Sequence, residues 1–61
     1  MNQKQETINL IEFYIKKVKA SDDEGVKSGY INKIIGMLAL AKAIDILTTE
    51  EYEHYFHKIF S

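Results

Sequence analysis

Two histidines near the end of the chain are the clearest candidates for chemistry, because histidine titrates near neutral pH without help from its surroundings. His54 and His57 are three residues apart, and Glu50 and Glu53 each precede one of them by four residues. On a helix this spacing places carboxylates beside imidazoles, as in a surface ion pair or a weak metal site. All four residues fall opposite the apolar stripe of their segment. The pattern therefore predicts exposed histidines, with no metal site and no cofactor.

Other catalytic constellations are missing from the sequence. The chain has 61 residues and no cysteine, so it offers no disulfide, no thiolate metal ligand and no cysteine nucleophile. Catalysis also needs a walled pocket that shifts pKa values, which a chain of this length has little material to build. We therefore expect neither an enzyme nor a small-molecule substrate.

The charge balance argues against nucleic-acid recognition. Eight lysines, no arginine and nine acidic residues give a formal net charge of -1, which leaves no surplus to neutralise phosphates. Lys16, Lys17 and Lys19, with Lys4 in register, form the only basic cluster, and Glu6 and Glu12 dilute it. DNA binding by this cluster or by the third helix is kept as the alternative function.

Residues 3–20 are predicted to form an amphipathic helix. Their apolar positions fall within an arc of about 160° at helical periodicity: Ile8, Leu10, Ile11, Tyr14, Ile15 and Val18. Asn2 followed by Gln5 fits a capping box at its start. Phe13 lies outside the arc, which predicts an exposed aromatic ring.

The segment 21–29 leaves two starting points for the second helix. Ser21 with Glu24 forms a possible capping box, which would run the helix over residues 22–46 and through two glycines. Alternatively Ser28 caps a shorter helix. The apolar periodicity of Val26 favours the earlier start. The acidic run Asp22, Asp23 and Glu24 is interpreted as a solvated helix start rather than as a docking patch for a basic partner.

The second helix is apolar on almost every side, which is typical of a buried helix. Its main face is predicted to comprise Val26, Tyr30, Ile34, Met37, Ala41 and Ile44. The remaining apolar residues are Ile31, Ile35, Leu38 and Leu40, together with a small-residue stripe of Gly36, Ala39 and Ala43. The first and third helices cannot surround it completely.

The third helix, over residues 49–60, carries the clearest start signal. Thr48 and Glu51 form a capping box, and Leu47 is placed to pack on Tyr52 as a hydrophobic staple. An inward aromatic stripe follows helical spacing: Tyr52, Tyr55, Phe56, Ile59 and Phe60. The short link to the second helix predicts an antiparallel hairpin.

These patterns predict an all-α, compact three-helix domain over residues 1–61 that self-associates, because so short a chain without disulfides is only marginally stable alone. The longest apolar stretch is too short and too charged for a bilayer, so we expect a cytoplasmic protein without membrane contact. The expected function is a small protein-binding regulator or adaptor, of inhibitor or anti-repressor type, from a bacterium, phage or mobile element. Its partner would be another protein, a second copy of itself, or both. The predicted interface comprises Phe13, Ile31, Ile35, Leu38, Leu40, Gly36, Ala39 and Ala43.

Overall fold

The computed structural model describes residues 2–60, and these form three helices and no strand. The helices are α1 (Gln3–Ala20), α2 (Glu24–Ala43) and α3 (Thr49–Ile59). The predicted all-α architecture is confirmed, with α2 and α3 as a C-terminal antiparallel hairpin. None of the three helices is long and apolar enough to cross a membrane.

Asn2 caps α1, as the sequence predicts, but without the reciprocal bond. The Gln5 amide donates to Asn2 Oδ1 at 3.2 Å. The Gln5 side chain does not return to the cap: its Nε2 donates instead to Asn9 Oδ1, one turn further on, at 2.9 Å. The capping-box prediction at this end was therefore correct for the asparagine and wrong for the glutamine.

The start of α2 is set by Asp23, which neither alternative at the sequence level identified. Its Oδ1 accepts the Gly25 amide at 2.8 Å and the Val26 amide at 3.1 Å. Ser21 lies outside the helix, and its hydroxyl oxygen accepts the Asp23 amide at 3.2 Å. A carboxylate on the first free amides also complements the positive end of the helix dipole. The acidic run thus marks the start of α2, and the first helical residue is Glu24, two residues later than predicted.

The end of α2 also differs from the predicted boundary at residue 46. Asp45 adopts a left-handed conformation with φ of 62°. The Ile46 amide donates to the Ala41 carbonyl at 2.8 Å, and the Asp45 amide donates to the Lys42 carbonyl at 3.2 Å. These two bonds form a Schellman motif, which usually carries glycine at the left-handed position. Because aspartate stands there instead of glycine, the end of α2 carries no obvious stop signal in the sequence.

We expect Asp45→Gly to raise the free energy of unfolding by about 1 kcal/mol, since it relieves the left-handed strain and removes a negative charge from the helix C-terminus. Asp45→Val should lower it, because a β-branched residue tolerates this conformation poorly. Urea denaturation of both variants checks this. A less stable Asp45→Gly variant would contradict the motif.

The capping box of α3 is confirmed. Thr48 Oγ1 accepts the Glu51 amide at 3.1 Å, and Glu51 Oε1 accepts the Thr48 amide at 3.0 Å. Leu47 is buried immediately before the cap, and Tyr52 packs against the core that contains Leu47. The start of α3 is therefore fixed by two hydrogen bonds and by core packing at one junction.

Thr48→Ala should lower the free energy of unfolding by about 1 kcal/mol, because the first turn of α3 loses its hydroxyl acceptor. Thr49→Ala provides the matched control, since Thr49 is the first residue inside the helix and takes no part in the box. Equal denaturation midpoints for wild type and Thr48→Ala would show that the cap does not stabilise the fold.

The core is one small cluster to which all three helices contribute. Its buried members are Ile11, Ile15, Val18, Ile34, Leu38, Ala41, Leu47 and Ile59. The predicted main face of α2 is confirmed in its middle, where Ile34 and Ala41 are buried, but the core also includes Leu38. The end members of that face, Val26 and Ile44, are 45% and 53% exposed. Leu10 in α1 and Phe60 after α3 were also expected inside, and they are exposed. The core occupies one side of α2 and leaves its opposite side in solvent.

Candidate protein-interaction surface

The histidines lie on the exposed side of α3, where the sequence places them. The His54 ring contacts Tyr55 edge-on, with centroids 4.9 Å apart, and His57 is in the last turn. Within residues 2–60, no group of three histidine or acidic side chains is arranged to hold a metal ion. The candidate functional site is the apolar surface of residues 2–60.

Several lysines of the predicted basic cluster are engaged within the chain. Lys4 Nζ is 2.9 Å from Glu51 Oε1, which ties the first turn of α1 to the first turn of α3. Lys17 Nζ lies 5.1 Å from the centre of the Phe13 ring, a cation–π distance. The Glu51 carboxylate offsets the charge of Lys4, whereas Lys17 keeps its charge beside the ring.

The carboxyl of Glu51 is stabilised in its charged form. The Thr48 amide, followed by the Lys4 ammonium, holds the pKa of Glu51 below its ordinary value. In the unfolded chain these partners are lost and the pKa returns to normal. The folded state therefore gains stability from Glu51 above the ordinary pKa, and it loses that stability as the pH falls through the lowered pKa.

Glu51→Gln keeps the acceptor oxygen of the capping box but removes this charge. We expect the stability difference between wild type and Glu51→Gln to be largest near neutral pH and to shrink as the pH falls below the ordinary glutamate range. Urea midpoints across that range measure it. Glu50→Gln, in the same turn but outside the box, is the control. A difference that does not depend on pH would contradict this role for the charge.

A first apolar groove lies between α1 and α2 on the side away from α3. We call it the α1/α2 groove. It has a volume of about 230 Å³ and is lined by Gln3, Thr7, Leu10, Met37, Leu40, Ala41, Ile44 and Ile46. Leu10, Leu40 and Ile44 are 46%, 62% and 53% exposed, so half of the exposed large hydrophobic residues meet at this one place. Clustering of this kind marks interaction surfaces, whereas single exposed residues do not.

A second groove lies along the N-terminal half of α2. We call it the glycine groove; it has a volume of about 250 Å³ and is lined by Gly25, Val26, Gly29, Tyr30 and Lys33. Tyr30 packs on Tyr14 of α1, and Lys33 Nζ lies 5.7 Å from the centre of the Tyr14 ring. Both grooves thus border the same flank of α2, the one next to α1.

Between the grooves and the α3 side runs a line of small residues, which we call the outer face of α2. Its members are Gly25, Gly29, Asn32, Gly36, Ala39 and Ala43, and all are exposed. They recur at alternating spacings of four and three, the spacing at which one helix packs along another. Apart from the adjacent residues and the backbone of the same helix turn, no atom lies within 4 Å of where a Cβ would stand at Gly29 or Gly36. Packing within this chain therefore does not require glycine at either position.

The structure separates the predicted interface residues into three groups. Phe13 and Leu40 are 51% and 62% exposed, and Gly36, Ala39 and Ala43 lie on the outer face. Ile31 and Ile35 are half-buried beside the core. Leu38 is fully buried, so its assignment to the uncovered side was wrong; a charge at this position would unfold the chain. Because the predicted main face was slightly rotated from the buried side of α2, Leu38 was predicted to be exposed, and Val26 and Ile44 were not predicted to be exposed.

Comparison with known proteins adds no identity: no family model, curated protein or solved structure matches the chain.

Proposed function

We propose that this chain is a small non-enzymatic regulator or adaptor that acts by binding protein through the α1/α2 groove and the outer face of α2. The observation that carries the proposal is the convergence of Leu10, Leu40 and Ile44 on one groove. An inhibitor or anti-repressor of a bacterium, phage or mobile element fits this description. The sequence has nine isoleucines and eight lysines but no arginine, a composition that favours a source with an AT-rich genome, such as a low-GC bacterium or its phages.

The shape of the groove favours a protein segment over a small molecule as its ligand. It is open, and its lining is mainly aliphatic, with Gln3 and Thr7 as polar side chains at one end. Small-molecule sites enclose most of their ligand and supply several converging polar groups. An open aliphatic groove between two helices instead accommodates the apolar side of another helix.

The exposed apolar area also has an energetic cost that binding would offset. Leaving large aliphatic side chains in water forgoes about 25 cal/mol for each Å² that a partner would cover. Within residues 2–60 the core contains eight buried residues, so the stability of the single chain is limited. A partner on the groove would therefore stabilise the fold while it is bound.

DNA binding remains the alternative, and the engaged lysines weigh against it. Lys4 is paired with Glu51, and Lys17 lies over Phe13. Binding to nonspecific DNA at low salt in a gel retardation assay would favour this alternative, because phosphate contacts strengthen as salt is removed.

Leu10→Glu should abolish capture of the natural partner from host extract, because the carboxylate would be desolvated in the groove of the complex. Leu10 is 46% exposed, so the variant should still fold, as circular dichroism can check. The assay is affinity capture followed by mass spectrometry, with cross-links that locate the contact on the chain.

Phe60→Glu is the matched control, since Phe60 is 60% exposed and lines neither groove. Proteins captured by wild type and Phe60→Glu but lost with Leu10→Glu would support the proposal. The same captured set for all three chains, or cross-links that avoid the groove, would argue against it.

A further inference from the structure

We propose that the outer face of α2 pairs with the same face of a second copy of this chain, with the two helices antiparallel and the two-fold axis level with Ile34. This inference rests on the proposed function, since it names a protein that the apolar surface binds. It specifies the partner, the orientation and the register.

The register follows from the arrangement of the small residues. They are placed symmetrically nine, five and two residues to either side of Ile34, which pairs Gly25 with Ala43, Gly29 with Ala39, and Asn32 with Gly36. An antiparallel two-fold operation brings exactly such counterparts opposite each other in the two copies. Glycine and alanine then meet at the outer two pairs, and Asn32 lies opposite Gly36 near the two-fold axis, so the helix axes can approach to about 8 Å.

Leu40 and the glycine groove indicate the antiparallel orientation. Leu40 is six residues after Ile34, so in an antiparallel pair it lies level with position 28 of the other copy, between Gly25 and Gly29. In an antiparallel pair the same flanks of the two helices face each other. The exposed Leu40 of one copy therefore lies over the glycine groove of the other, where the missing side chains leave about 250 Å³. In a parallel pair the two Leu40 side chains would lie on opposite sides of the contact, and the glycine grooves of both copies would stay empty.

The charges at the two ends of α2 favour the same orientation. Glu24 and Lys42 are separated by 18 residues, which is five helical turns, so they lie on the same flank. They are ten and eight residues from Ile34, so antiparallel pairing brings Glu24 of each copy within about 3 Å, along the axis, of Lys42 in the other. Near the two-fold axis, Lys33 of one copy would lie close to Lys33 of the other. Its ammonium lies over the Tyr14 ring, toward α1. Within one chain the Lys42 ammonium lies 4.9 Å from the centre of the Tyr52 ring of α3, so the Lys42 side chain has to leave that ring to reach Glu24 of the other copy.

The area of this contact suits a reversible dimer. The outer face from residue 25 to residue 43 is about 27 Å long at 1.5 Å per residue. A strip roughly 20 Å wide would bury about 1,100 Å² in total, at the lower end of specific interfaces. A dissociation constant in the micromolar range is therefore expected.

Glycine in the middle of α2 supports a contact at this face. Gly29 and Gly36 each cost the isolated helix about 1 kcal/mol relative to alanine. Since a Cβ would fit at both positions within the single chain, packing of the monomer does not account for that cost. Close approach of a second helix does account for it.

Cross-linking tests the register, because the chain has no cysteine of its own. Gly29→Cys mixed with Ala39→Cys should form a disulfide between the two chains on mild oxidation. Ala39→Cys alone should not, since its two copies would lie about 15 Å apart along the axis, beyond the roughly 7 Å that a disulfide can span. Equally efficient cross-linking of Ala39→Cys to itself, or no cross-linking of the mixture, would overturn the proposed register.

Sedimentation equilibrium tests the pairing itself. Wild type should dimerise at micromolar concentration, and Leu40→Glu should raise the dissociation constant at least about tenfold. Phe60→Glu, an equivalent change on an exposed residue outside both grooves and outside the predicted interface, should leave it unchanged. Glu24→Lys and Lys42→Glu should each weaken the dimer, because each places like charges opposite each other between the two copies. The double variant should restore the dimer, because position 24 of one copy and position 42 of the other again carry opposite charges.

Two outcomes separate this inference from the proposed function. A wild type that stays monomeric, yet captures another protein through Leu10, would overturn the pairing and leave the proposed function standing. Conversely, Leu40→Glu could weaken the dimer while Leu10→Glu still captures the same proteins as wild type. This result would support the pairing and contradict the binding of a different protein through the α1/α2 groove.

Discussion

The covering of α2 is the constraint on which the rest of this structure depends. α2 is apolar or small on nearly every side, but α1 and α3 together bury only one side of it. The chain places Ile34, Leu38 and Ala41 inward and leaves the outer face of α2 outward, with Leu40 and Ile44 exposed beside it. The outward side is then both the least costly face to expose and the face that a second helix can approach most closely.

The turns and caps decide which side of α2 is covered. The left-handed Asp45 reverses the chain, and the capping box at Thr48 starts α3 only a few residues later. The Lys4–Glu51 ion pair then holds the beginning of α3 beside the beginning of α1. Burial, followed by the negative charges of Glu12 in α1 and of Glu51, raises the pKa of Tyr55 in α3. With α3 fixed in this way, the flank of α2 that carries both grooves stays open.

Sequence reasoning succeeded where a local signal and the global fold agree, and it failed where they separate. The start of α3 was predicted because Thr48 and Glu51 form a complete motif within four residues. The start of α2 was missed because Ser21 and Glu24 mimic that motif, while Asp23 caps the helix with one oxygen on two amides. α2 is apolar on almost every side, so the periodicity of its apolar residues does not identify which side is buried, and Leu38 was assigned to the wrong side. The grooves depend on how α1 crosses α2, which no pattern within one helix contains.

The central claim is that the open side of α2 is a protein contact, and a dilution series followed by amide chemical shifts tests it most directly. The account predicts that, across the micromolar range, amide signals along the outer face of α2 shift with concentration. Signals of His54 and His57, on the far side of α3, should stay in place. Spectra that do not change with concentration, or changes centred on α3, would contradict the account.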